Sequence, residues 1–88
     1  MTRSVFSPAY AALKRTLVEM REAAGLTQRA LAERLRRERS FVARLESGQR
    51  RVDIVEFYWI CTACNADPNR EFQKLFKLIR SSGKEGRP

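Results

Sequence analysis

The sequence predicts an all-α fold of five helices. Apolar residues recur at three- and four-residue spacing almost throughout, and no strand-type alternation persists beyond about five residues. Turn signals at Gly25, Gly48 and the Asn65–Pro68 cluster cut the chain into helix-length pieces. With 88 residues there is room for one domain and one small core. The composition, 43% apolar and 32% charged, is that of a globular chain rather than a disordered one.

The first helix is expected to start at Ser7-Pro8, a cap residue followed by Pro at the first helical position. It runs to about Ala24 and stops at Gly25. Leu13, Leu17, Met20 and Ala24 form its apolar stripe. The second helix follows Thr27, whose hydroxyl can cap the amides of Gln28, Arg29 and Ala30. Its inner face is Leu31 and Leu35, and it ends near Leu35. Only Arg36, Arg37 and Glu38 separate it from the third helix, so the two must meet at a steep angle. The third helix covers roughly Arg39 to Ser47, ahead of Gly48. Val42 and Leu45 point inward and Phe41 lies beside them, whereas Ser40, Ala43, Arg44 and Ser47 share the opposite face.

Asp53 and Glu56 read as a capping box for the fourth helix. This helix extends to about Cys64, where Asn65 can take the left-handed stop position. Its expected inner stripe is Ile54, Phe57, Ile60, Cys61 and Cys64. Asp67-Pro68 opens the fifth helix, with Phe72, Leu75, Phe76 and Ile79 as its apolar stripe. The remainder, 81–88, is small, polar and Gly-rich and reads as a flexible tail, and 1–7 as an N-terminal arm.

Charge narrows the function. Eighteen Lys and Arg against ten Asp and Glu give a net charge of +8, which favours a polyanionic partner, nucleic acid before an anionic membrane surface. There is no His, which removes Ser-His and Cys-His dyads and every His-containing metal site. Cys61 and Cys64 form a C-x-x-C, but zinc would want a second pair, and a redox pair would want a helix N-terminus. They are read as small apolar core residues, and no cofactor or metal is expected. No nucleophile–base pair or Gly-rich phosphate loop is visible, so an enzyme is not expected. The start of the chain lacks the apolar segment of a signal peptide, and there is no apolar run of about 18 residues. The expected location is the cytoplasm, on the nucleoid.

The stretch from Leu26 to Arg51 reads LTQRALAERLRRERSFVARLESGQRR. It resembles the XRE-type helix-turn-helix family of Cro and phage repressors. Leu26, Thr27, Gln28, Leu31, Ala32, Leu35, Val42, Leu45, Glu46, Gly48 and Arg50 all fall in the family's register. The likeness covers residues 10 to 70. Two positions depart from it: Arg36 stands where the family has a turn Gly, and Arg37 where it has an aliphatic residue. A left-handed backbone at Arg36 would cost about 1 kcal/mol relative to Gly.

The resemblance implies a compact lambda-repressor-like domain over 8–80, with the helix-turn-helix in the second and third helices and an extended C-terminal helix. It also implies a DNA-binding transcription regulator, in the manner of a repressor or autoregulator. The residues agree. Eight Arg against three Glu lie between 28 and 51, a net +5 of the chain's +8. On the third helix Arg39 and Arg44 are long among small neighbours and suit guanine O6 and N7, with Ser40 as a shorter base contact. Thr27, Gln28 and Arg29 at the start of the second helix, and Arg37, Arg50 and Arg51, are expected on the DNA backbone, Gln28 by the family's precedent. Arg21 and Glu46 match a family pair that forms an inter-helix salt bridge.

There is also an apolar surplus. Val55, Trp59 and Thr62 form a second stripe on the fourth helix, and Leu75, Leu78 and Ile79 exceed what one small core needs. The fifth helix can fold back over Trp59, or Val55, Trp59, Leu75, Leu78 and Ile79 can form an interface. The interface reading gives a homodimer presenting two recognition helices about 34 Å apart to a palindromic operator. The alternative is a protein-interaction module, antitoxin- or anti-activator-like, using the same surface.

Overall fold

A computed structural model of the chain describes residues 7–82; the arm to Phe6 and the tail from Gly83 lie outside the described residues. Five helices account for the fold: α1 (Pro8–Ala23), α2 (Gln28–Leu35), α3 (Arg39–Ser47), α4 (Ile54–Ala63) and α5 (Pro68–Ser81). No strand occurs among the described residues. The local signals at the helix ends act as expected. Ser7 Oγ accepts from the Tyr10 amide, Thr27 Oγ1 from Ala30, and Asp67 Oδ1 from Asn69. Asp53 and Glu56 complete a reciprocal capping box at α4. Each supplies an acceptor to amides that the helix itself cannot satisfy.

The connections depend on residues in the left-handed region, namely Gly25, Arg36, Gly48 and Asn65. Gly48 is favoured by its backbone and sits close to a neighbouring side chain. Its φ is +87°, and a Cβ there would lie 3.1 Å from Cδ and Nζ of Lys14. Arg36 has φ 59° and ψ 42°, so the substituted turn keeps the left-handed geometry with a side chain present. Its amide and that of Arg37 still close the end of α2, onto Glu33 and Ala32. Arg36→Gly is accordingly expected to stabilise the fold by about 1 kcal/mol and raise Tm by roughly 4–8 °C. An unchanged or lower Tm would show that this turn stores no strain.

α1 lies between α3 and α5, α2 packs across α3 and α4, and α4 also meets α5. The core where they converge contains Leu17, Met20, Leu31, Val42, Leu45, Phe57 and Ile60, with both Cys61 and Cys64. Cys61 Sγ sits 3.7 Å from Met20 Sδ, and burial pushes its thiol up to about 11. Both cysteines are unpaired thiols inside the core.

Two stripe residues depart from expectation. Ile54, in the first turn of α4, is 63% exposed, and Phe76 on α5 is 57% exposed. The reason is the course of α5. It lies along α1 and meets α4 much less, so the outer side of α4 and the side of α5 that carries Phe76 have no neighbour to bury them. Phe57, Phe72 and Phe76 instead form a ladder of rings, 4.9 and 5.8 Å apart, leading from core to surface.

Candidate nucleic-acid interface

α3 is held by its inner face. Phe41, Val42 and Leu45 are buried, which commits the opposite side of the helix to the outside. Arg39 and Arg44 are exposed there, and neither guanidinium makes a hydrogen bond or ion pair among the described residues. Ser40 is half-buried, and the Ser47 hydroxyl donates to the Arg44 carbonyl. Phe41 is not available to a thymine methyl group. It is 5% exposed, and the guanidinium carbons of Arg37 and Arg50 lie 3.8 and 4.9 Å from its ring centroid.

A polar cluster fixes α3 against α1 and the start of α2. Glu46 receives Arg21 Nε at 2.6 Å and Nη2 at 3.1 Å. The same carboxylate receives Gln28 Nε2 at 2.9 Å, and Arg21 Nη1 donates to the Leu26 carbonyl at 2.9 Å. The bond to Glu46 holds the Arg21 guanidinium above its ordinary pKa. Gln28 thus stands at the start of α2 with one amide N–H directed inward, an arrangement that helical periodicity does not reveal. The helix start still offers the main-chain amides of Gln28 and Arg29, since the Thr27 hydroxyl occupies only that of Ala30. Arg29 is exposed beside them.

Arg50 has an internal partner that the sequence reading did not name. Its guanidinium grips both carboxylate oxygens of Glu56, each at 2.9 Å, and Nη1 also donates to the Arg51 carbonyl. A guanidinium used in this way braces the loop before α4 with three of its five N–H donors. The arginine holds the Glu56 carboxyl below the ordinary carboxylate range. A carboxyl so depressed adds stability above its unfolded pKa and loses it as pH falls through its folded pKa. Tm should therefore drop on acidification through and below the ordinary carboxylate range. Glu56→Gln should show a shallower drop, and equal slopes would remove Glu56 from the acid response. Arg51 lies over the Tyr10 ring at 5.4 Å, while Tyr10 Oη accepts from the Val52 amide at 3.2 Å. Tyr10 was not singled out by the sequence because its partner lies 42 residues away on a loop.

The five residues read as an interface separate into two groups. Leu75 is buried and Ile79 is packed against the core, so both belong to the seam between α5 and α1. Val55, Trp59 and Leu78 are exposed. Trp59 is not covered by α5; it is 54% exposed beside the end of α2. No helix among the described residues is long and apolar enough to cross a membrane.

A family model described as a helix-turn-helix domain matches residues 12–72. Among solved structures, an XRE-family like protein from Pseudomonas syringae pv. tomato str. DC3000 is 40% identical. The two superpose with a TM-score of 0.77, over 89% of this chain and 98% of that one. No curated protein matches the chain. The family match runs from within α1 to the start of α5, with α2 and α3 joined by a three-residue turn at its centre and the outer face of α3 open. The chain therefore belongs to the XRE-type helix-turn-helix family of DNA-binding regulators.

Proposed function

We propose that the protein binds double-stranded DNA sequence-specifically, lays α3 in the major groove, and acts as a small repressor or autoregulator by occupying its site. The observation that carries this reading is the state of Arg39 and Arg44: exposed on a helix whose other face is in the core, with no internal partner among the described residues. Paired N–H donors on such side chains match guanine O6 and N7. Ser40 adds a shorter contact. Thr27, Gln28 and Arg29 would meet a phosphate at the start of α2, with Arg37 and Arg51 further along the backbone. Arg50, whose side chain stays 38% exposed beside Glu56, adds a backbone contact through its remaining N–H donors.

A twofold arrangement on a palindromic site is part of the proposal. Val55, Tyr58, Phe76 and Leu78 supply exposed apolar surface for a second copy. The test is selection of bound duplexes from a random pool, followed by titration of selected and random duplexes at two salt concentrations. The expected result is a preferred sequence with inverted symmetry and a steep salt dependence of both affinities. Equal affinity for every sequence would defeat the reading, and an asymmetric site would defeat the dimer.

A further inference from the structure

Trp59 sits between two hollows. One is a groove of about 320 Å³ lined by Arg34, Leu35, Arg36, Trp59, Thr62 and Ala63. The other, which shares Leu35 and Trp59 with it, adds Arg37, Phe41, Glu56 and Ile60. The apolar part is formed by Leu35, Ala63 and Trp59, and the charged part by three arginines. None of these arginines is in an ion pair among the described residues. Arg34 Nη1 donates to the Ala63 carbonyl at 2.8 Å, which places its guanidinium at the C-terminal end of α4. The single carboxylate on either lining, Glu56, is already neutralised by Arg50.

From this juxtaposition we infer that the groove between the end of α2 and α4 is a docking site for an acidic protein segment carrying an aliphatic or aromatic anchor, a partner distinct from DNA. The anchor lies against the Trp59 indole and Leu35, and the carboxylates meet Arg34 and Arg36. A half-exposed Trp with Arg at its rim is the composition that carries binding energy at protein interfaces. Arg–carboxylate forks then supply orientation. Charge complementarity selects this occupant over a second copy of the chain. A twofold contact centred on Trp59 would bring both sets of three arginines into one interface, a like-charge juxtaposition that opposes association. A DNA phosphate could satisfy the arginines, but it would leave the indole and the apolar floor without a partner.

Trp59 is the chain's one tryptophan and reports directly on the groove. The probe is a short Trp-free peptide of Asp and Glu around one Leu-Phe pair, titrated into the full-length protein while its emission is followed. A saturable blue shift is expected. The same peptide with Asn and Gln replacing the acids should give none. Arg36→Glu and Thr62→Glu should each weaken the acidic peptide about tenfold. Both positions lie on the groove outside the buried core, and melting of each variant confirms its fold. Arg39→Ala with Arg44→Ala should leave peptide affinity unchanged, so loss of DNA binding and loss of this site are read separately. The inference is overturned if the neutral peptide binds equally well or if neither variant weakens the acidic one. It is likewise overturned if raising protein concentration alone produces the shift, which would assign the groove to a second copy. A random duplex that displaces the peptide from the double arginine variant would assign it to DNA.

Discussion

Glu46→Ala is expected to destabilise the protein by about 3 kcal/mol and lower Tm by roughly 12–24 °C. The side chains of Arg21 and Glu46 are only 13% and 8% exposed. Removing the carboxylate leaves a guanidinium largely out of water with the Leu26 carbonyl as its remaining acceptor, and frees Gln28 Nε2 as well. The cost comes chiefly from that stranded charge. A double variant, Arg21→Met with Glu46→Leu, separates the two contributions. It removes both charges and keeps apolar volume, so it should recover most of the loss. Thermal unfolding of the three proteins checks this. An unaltered Tm for Glu46→Ala would mean that the pair contributes nothing net, and a double variant as unstable as the single one would place the effect in packing. The carboxylate is on α3 and its donors are on α1 and at the start of α2, so a second effect is expected on DNA binding. The relative placement of the two helix-turn-helix helices should loosen and affinity should fall even at temperatures where the variant is folded.

The other large effect concerns recognition. Arg39→Ala and Arg44→Ala are each expected to cost about 1–3 kcal/mol on the selected duplex, roughly fivefold to 150-fold in affinity. Each should relax preference at one base, and the double variant should approach the affinity of the protein for random sequence. Stability should stay within about half a kcal/mol of the parent's, because both side chains are exposed and neither guanidinium has a hydrogen bond or ion pair among the described residues. Competition with single-base variants of the site is the decisive measurement. A uniform loss for every sequence, with a shallower salt slope, would move these arginines from bases to phosphates.

The parts of the fold legible in the sequence are those that local chemistry decides. Ser7-Pro8, Thr27, Asp53 with Glu56, and Asp67-Pro68 each name an amide acceptor within three residues, and all four helix starts fall where they indicate. The left-handed stops at Gly25, Gly48 and Asn65 belong to the same class. Arg36 fits it less directly. Its conformation follows from the turn that α2 and α3 need, and the residue type gave only the expected penalty. Helical spacing identified inner faces correctly where a neighbour exists to cover them, as for Leu17, Val42 and Ile60. It failed at Ile54 and Phe76, because periodicity says which side of a helix a residue lies on but not where the adjacent helix ends. The converse holds for Leu75 and Ile79, which α1 claims for the core. Side-chain partnerships were least legible. Arg50 with Glu56 depends on the path of a loop, and Gln28 with Glu46 on the crossing of two helices. Neither leaves a periodic trace.

Arg37 and Arg50 over the ring of Phe41 bear on binding affinity. A free arginine side chain samples many rotamers, and confining it forfeits on the order of 2 kcal/mol of entropy. Here the stacking of Arg37 on an aromatic surface, 3.8 Å from its centroid, has already restricted that freedom during folding. An arriving anion meets a guanidinium aimed in advance, so less ordering remains to be done at the encounter and the bound state is favoured in proportion. Phe41, though it reaches neither DNA nor solvent, sets the posture of a cation that can.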